Sequence, residues 1–418
     1  MASIAVIGGG LAGLAAAWRL AARHKVTLLE RHNVPGMDAH SLDLHHDGVT
    51  ARIDLPLRVL YRGYYPTLMA LYRAVGVAVE PTNYAGSFSR LGGDAYFRYA
   101  NLLLAGHSIP LPATPLGLTS LRIVRDLMRL HRLAPRVLAA VDHTVPLGDW
   151  LTSHNFSTEF ANGFLVPTFA AIGTCSYQAV RAYPAQVVLQ YLTGGLTFGG
   201  VQRVVLGTRE VVRRLTAGVA ETLCGVVVES VAPAPNGVAV SWDGGSRTFD
   251  HVVVSSQANQ AARLLAPGFA AERQALSGFS YEPSEVLVHT DVALAPRQKA
   301  HWAPVNILVG EGSSMPMATI WLNRVQSDLR GLRPVFQTWN PLLPPDEARV
   351  ITRARFERPV VDAASVLASG EIVRLHAQPG RRLWLSGSYL GPGVPLLEAA
   401  ASSSERVANA IERACTGS

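Results

Sequence analysis

The chain has 418 residues, of which 49% are apolar and 16% charged, and its formal net charge is +7. That length exceeds one ordinary core, and the composition excludes a disordered chain. The positive charge is thinly spread arginine, Lys25 and Lys299 being the only lysines, and no recognition motif accompanies it, so nucleic acid is not an expected partner.

The opening "SIAVIGGG" reads as a short buried parallel strand, because its apolar and β-branched residues run without alternation. It lacks the basic leader and cleavage site of a secretory signal. Gly8, Gly10 and Gly13 follow in G-x-G-x-x-G spacing, then "LAGLAAAWRLAARH" reads as a helix and "KVTLLE" as a second strand ending at Glu30. Each part of a dinucleotide-binding βαβ unit is in place. Gly8 permits the tight turn, Gly10 admits a pyrophosphate, and Gly13 lets helix and strand pack closely. The free amides at the helix start suit phosphate, and Glu30 suits a ribose hydroxyl.

His40, His45 and His46, with Asp43 and Asp47, alternate as a mixed-face strand does, and no metal is expected of them. Farther on, "TSLRIVRDLMRLHRL" is a helix that places Arg122, Arg125, Arg129 and Arg132 on one face, with Ile123, Val124, Leu127, Met128 and Leu130 on much of the rest. The plain reading is a solvated helix on the core. The sharper one is a basic surface for an anionic membrane or an acyl carrier. "NFSTEFANGFLVPTFAAIGTCSYQAV" and "PMATIWLNRVQ" are aromatic and nearly uncharged, which suits a tunnel for a lipophilic small molecule.

"GVVVESVAPAPNGVAVSWDGGSRTFDHVVVSS" reads as successive strands, with hairpin turns at Asn236-Gly237 and Asp243-Gly244. The end of the chain is a strand, Leu383 to Leu385, a glycine turn, and a helix from about Pro395 with Glu398 at its positive end. Such a helix can aim a second positive end at a flavin ring. Cys175, Cys224 and Cys415 are odd in number and scattered, so no disulfide framework is expected; a cytoplasmic protein, at most peripheral to the membrane, is. No G-x-S-x-G elbow follows a strand, which speaks against a serine hydrolase.

These landmarks ("VIGGGLAGLAAA" with "VTLLE", "RGYYPTLMALYRAVGV", "VQRVVLGTREVVRRL", "FDHVVVSSQANQAARLL", "YEPSEVLVHTD", "IWLNRVQ" and "LSGSY…SSSERVANAI") run nearly end to end. With them the chain resembles the FAD-dependent amine oxidoreductase superfamily of monoamine oxidases, protoporphyrinogen oxidase and phytoene-type desaturases. Within it, the chain is most similar to a bacterial branch of NAD/FAD-binding oxidoreductases. The resemblance implies an α/β fold: a Rossmann-like FAD domain (1–56, 204–276 and 363–418) interleaved with an α+β substrate domain (57–203 and 277–362). It extends the FAD-binding set to Leu11, Ala12, Arg31, Gly36, Val228, Ser255, Gly387, Ser388, Pro395 and Leu396. Tyr389 is expected beside the flavin ring, with Asn323 or Tyr65 positioning substrate.

The chain also departs from that pattern. "VPGMDAHS" puts Met37 and Asp38 where relatives carry Gly and a basic residue near the pyrophosphate, so Asp38 is expected to point away or to reshape the turn. Asp54-Leu55-Pro56 replaces Asp-x-Gly. The flavin-side lysine of amine oxidases would fall near Glu285, where there is none. Hydride removal that leaves a double bond is therefore the main expectation. A redox-neutral double-bond isomerase is the alternative, with amine oxidation or a flavin-free scaffold behind it.

Overall fold

The computed structural model describes residues 1–61, 63–104, 107–113, 117–140, 144–196 and 200–416. Strand β1 (Ser3–Ile7), helix α1 (Leu11–Ala21) and strand β2 (Lys25–Glu30) form the opening βαβ unit. They belong to a five-stranded sheet in the order Glu221–Cys224, β2, β1, His251–Val254, Leu383–Leu385, with every pair parallel. Strands from the start, middle and end of the chain thus meet in one sheet.

The unbroken apolar sequence of β1 follows from burial on both faces. Ile4 and Val6 lie in one core, with α1 and the C-terminal helix (Leu397–Thr416). Ala5 and Ile7 face the other, with Val252, Val254 and Leu385. The alanines of α1 (Ala12, Ala15, Ala16, Ala17) allow that C-terminal helix to pack closely against it, and Arg19–Glu405 and Arg23–Glu412 ion pairs flank the contact.

An antiparallel meander follows: Val228–Ala234, Gly237–Trp242 and Gly245–Phe249. Its second turn is Asp243-Gly244, as the sequence predicts. Its first is Pro235-Asn236, one residue earlier than predicted, because Gly237 already pairs with Ala234. Gly237 is there for a close approach: a Cβ would lie 2.2 Å from the Phe249 carbonyl oxygen. The substrate region is built on an eight-stranded sheet, antiparallel except between Gly86–Arg90 and Val305–Val309. Helices α2 (Pro66–Ala74) and α3 (Leu118–Ala140) and the shorter helices from Leu147 to Tyr191 share its core with the nucleotide sheet. Among the described residues, no helix is long and apolar enough to cross a membrane.

Two histidines make this fold acid-sensitive. His289 is wholly buried and bonded to the Thr338 hydroxyl (2.7 Å), and burial lowers its pKa from 6.5 to about 4. His376 accepts the Leu385 N–H at 3.0 Å, so it helps to hold the last strand of the nucleotide sheet. Burial first, then Arg381 and Arg406, lower its pKa to about 3. Below pH 6.5 the unfolded chain takes up protons that the folded chain refuses. Stability is therefore expected to be flat above pH 7 and to fall as pH drops, with His289 alone contributing a loss of about 2 kcal/mol by pH 5. Denaturant titrations at pH 7 and pH 5 measure it; equal midpoints would contradict these assignments.

Candidate cofactor and active site

The glycine turn does what its spacing requires. Gly8 has φ +101°, and a Cβ on Gly13 would lie 1.9 Å from the Gly8 carbonyl oxygen. A Cβ on Gly10 would meet nothing within 4 Å, so the chain is open to a ligand there. Gly10 caps α1 without a side chain, and the first turn has no acidic residue. Gly10, Leu11 and Ala12 form part of the wall of a cavity of about 970 Å³.

Glu30 is buried and accepts three backbone N–H groups, from Gly9 (2.6 Å), Gly36 (3.2 Å) and His32 (2.9 Å). A carboxylate accepts at about four sites, so Glu30 mainly fixes the turn and keeps roughly one site for a ribose. Gly36 is required by that bond, since a Cβ would lie 2.9 Å from Glu30 Oε2. Arg31 bonds the neighbouring His32, and Val228 opens the meander. Gly8, Gly13, Glu30, Arg31, Gly36 and Val228 stand behind or beside the cavity wall and are not part of it.

Asp38 points away from the turn. It pairs with Arg52 at 2.7 Å and accepts the Thr208 hydroxyl at 2.6 Å. Asp54 accepts the Thr208 N–H (2.9 Å) and hydroxyl (3.0 Å), holding the start of helix Gly207–Thr216. Both acids are thereby kept from the phosphate side. Arg58, which the sequence did not single out, lines the cavity and stands in the electrostatic field of His40, Asp54 and Asp38.

The opposite wall comes from distant segments: Ser255, Ser256 and Gln257 after one sheet strand, and Gly387, Ser388, Tyr389, Pro395, Leu396 and Leu397 after another. The hydroxyls of Ser255, Ser256 and Tyr389 are buried without partners among the described residues, which costs about 1–3 kcal/mol each unless a ligand meets them. Tyr389 lies edge-on to Phe279 at 4.9 Å, and burial raises its pKa well above 10. Glycine is needed at 387, where a Cβ would fall 2.4 Å from the Tyr389 ring. Tyr65 lines the cavity beside Tyr61 and Tyr64, and the Tyr64 hydroxyl accepts the Val394 N–H at 2.8 Å, strapping the C-terminal loop. Open glycine backbone, a helix N-terminus and unpartnered hydroxyls around one cavity fit a dinucleotide.

Asn323 is corrected. It is buried in the one-turn helix Leu322–Val325 and does not line the cavity. Its Nδ2 donates to the carbonyls of Leu329 (2.8 Å), Leu332 (3.2 Å) and Arg333 (3.0 Å), and its Oδ1 accepts the Val335 N–H (2.8 Å). Both Nδ2 protons and one Oδ1 lone pair hold the segment 329–335.

Most of the remaining wall is apolar. Phe164, Leu165 and Ile172 come from the aromatic stretch, Ala318 and Ile320 from "MATIW", and Val124, Leu127 and Met128 from α3. The α3 arginines have partners within the chain, although Arg122 and Arg125 stay exposed: Arg122 pairs with Glu159, Arg125 with Asp126 (2.8 Å), and Arg129 lies over Phe156 (5.0 Å). Arg132 lines the cavity, while Leu118 and Leu121 are exposed. Neither Lys25 nor Lys299 reaches the cavity, and Glu285 pairs with Arg355. Among the described residues, no cluster of three or more His, Cys, Asp or Glu could hold a metal; Asp43 pairs with Arg52 and Arg209, and His45 bonds Thr50.

Residues 6–75 match the NAD(P)-binding Rossmann-like domain family. No curated protein sequence matches the chain. Solved structures match over nearly the whole length. Putrescine oxidase covers 98% of this chain and 99% of its own, at 15% identity and a TM-score of 0.67. The chain has the amine-oxidase fold. A CLA-producing fatty acid isomerase from P. acnes shares it (17% identity, 98% of both chains, TM-score 0.68), as does cyclohexylamine oxidase from Brevibacterium oxydans (14%, 99% of both, 0.65). In this amine-oxidase fold the Rossmann unit and the interleaved sheet domain enclose the cavity described above.

Proposed function

We propose that the protein is an FAD-dependent oxidoreductase that removes hydride from carbon of a lipophilic small molecule and leaves a double bond. One observation carries this reading: the N-terminal glycine turn and the C-terminal segment Gly387–Leu397 line the same cavity, whose remaining wall is mostly apolar and aromatic. The amides of Leu11 and Ala12, with Arg58, would hold the diphosphate, and the hydroxyls of Ser255, Ser256 and Tyr389 lie where polar atoms of the cofactor could meet them. Bound FAD supplies the electron sink for the hydride. The protein's own work is to desolvate the substrate between Tyr65, Tyr61 and the phenylalanines, and to hold its C–H bond in one orientation.

Amine oxidation is disfavoured by the site itself. Among the described residues no lysine lines the cavity, and its guanidinium groups repel a protonated amine. A second reading, a redox-neutral double-bond isomerase, is favoured by the likeness to the fatty acid isomerase. Stoichiometry separates the two: desaturation consumes one electron acceptor per product and removes two hydrogen atoms, whereas isomerisation does neither. The purified protein is expected to show a flavin spectrum, or to gain one on reconstitution with FAD. A colourless protein that takes up no FAD would overturn both readings.

A further inference from the structure

The cavity wall has a one-sided charge. Arg58, Arg132 and Arg358 line it, and among the described residues no aspartate or glutamate does. Arg58 stands in the field of Asp54 and Asp38, and Arg132 is on the outer helix α3. Arg358 is the charge left without an explanation.

Arg358 lies on strand Val350–Pro359, directly opposite Glu282. That glutamate makes no ion pair with it: its two oxygens accept the Ser176 N–H and hydroxyl, each at 2.7 Å. The Arg358 guanidinium is held firmly all the same. Its Nε donates to Thr174 Oγ1 at 2.7 Å, and its carbon sits 5.0 Å from the Trp339 ring centre and 5.6 Å from that of Phe356. Among the described residues no acceptor meets its two terminal nitrogens, and the charged group facing it is another arginine, Arg58. Burial, then Arg58, lower its pKa to about 10, which leaves it cationic at neutral pH. A half-buried, unpaired and oriented cation is costly to keep, and its free edge is the geometry that a carboxylate matches with two parallel hydrogen bonds.

We infer that Arg358 receives the carboxylate of the substrate, which makes the substrate class amphipathic carboxylic acids with the hydrocarbon portion along the aromatic wall. This inference rests on the reading of the cavity as a substrate site beside FAD. It makes Arg358 a binding and orienting residue that fixes which carbon of the chain is presented for reaction.

The test uses flavin-loaded protein and three probes that share one chain: decanoate, decan-1-ol and decylamine. Equilibrium dialysis is expected to rank decanoate about ten- to a hundredfold tighter than the alcohol, with the amine weakest. Arg358→Gln should bring decanoate down to the affinity of the alcohol, leaving alcohol binding and flavin content unchanged. Arg358→Lys should retain part of the preference. If Arg358→Gln does not fold, Thr174→Val, which frees the Nε anchor, should still reduce the acid preference severalfold. Equal binding of acid and alcohol by the wild-type protein, no saturable binding of decanoate, tighter binding of the amine, or an acid preference that survives Arg358→Gln would each overturn the inference. So would loss of flavin in Arg358→Gln, which would place the arginine on the cofactor. Failure to bind FAD at all is a separate outcome: it refutes the flavoenzyme reading and, with it, the substrate site on which this inference rests.

Discussion

Replacing Gly13 by alanine should destabilise the protein and abolish dinucleotide binding together. The new methyl would lie 1.9 Å from the Gly8 carbonyl oxygen and 3.2 Å from Ser255 Cβ, and the first of these is backbone that cannot rotate aside. α1 must then lift from β1 at the centre of the five-stranded sheet, with a loss of about 3 kcal/mol or more expected. Gly10→Ala is the matched control. At φ −70° and ψ 175° that backbone accepts alanine, and nothing within 4 Å opposes the methyl. Its fold should survive almost unchanged, while FAD affinity falls by about tenfold or more, because the methyl occupies the place left for the phosphates. Denaturant midpoints and flavin content, measured on both variants, separate packing from binding. If Gly10→Ala retains full flavin affinity, the phosphate site lies elsewhere.

Glu398→Ala should be nearly as damaging, although the residue is far from the glycine turn. Glu398 is buried in the first turn of the C-terminal helix, yet its two oxygens accept the N–H groups of Thr67 and Leu68, each at 3.0 Å. It therefore caps α2 across the domain boundary and joins the closing helix to the substrate region. Removing it strands two donors, at least one of them fully buried, for a loss of about 3 kcal/mol or more. Glu398→Gln keeps one acceptor and should lose about half as much. Chemical denaturation of the two variants checks the order, and equal stability of both with the wild type would show that α2 needs no such cap.

The same residue shows what a sequence can and cannot reveal. Glu398 was legible as an acid at the start of a helix, but the first amide it caps, that of Thr67, lies 331 residues earlier in the chain. The βαβ unit was readable because Gly8, Gly10, Gly13 and Glu30 act over a short span, where spacing is geometry. The interleaved domains were readable from strand and turn signals together with the resemblance. The cavity was not. Arg58 is one arginine between Leu57 and Val59, Arg358 is one of three in the charged strand Val350–Pro359, and only the closure of the two sheets sets them on one wall. Asn323 misled for the opposite reason: an amide in an apolar stretch suits substrate as well as it suits a loop, and here the carbonyls of 329–333 claim it. Asp38 was expected to turn away from the phosphates, but its partners Arg52 and Thr208 could not be named from spacing, because Thr208 lies 170 residues distant.

A crystal structure of the flavin-loaded protein tests the central claim most directly. The account predicts FAD with its diphosphate against the amides of Leu11 and Ala12 and its ring between Ser255–Gln257 and Ser388–Leu397. FAD bound away from either segment, or a crevice between them that stays closed while the flavin sits elsewhere, would contradict it.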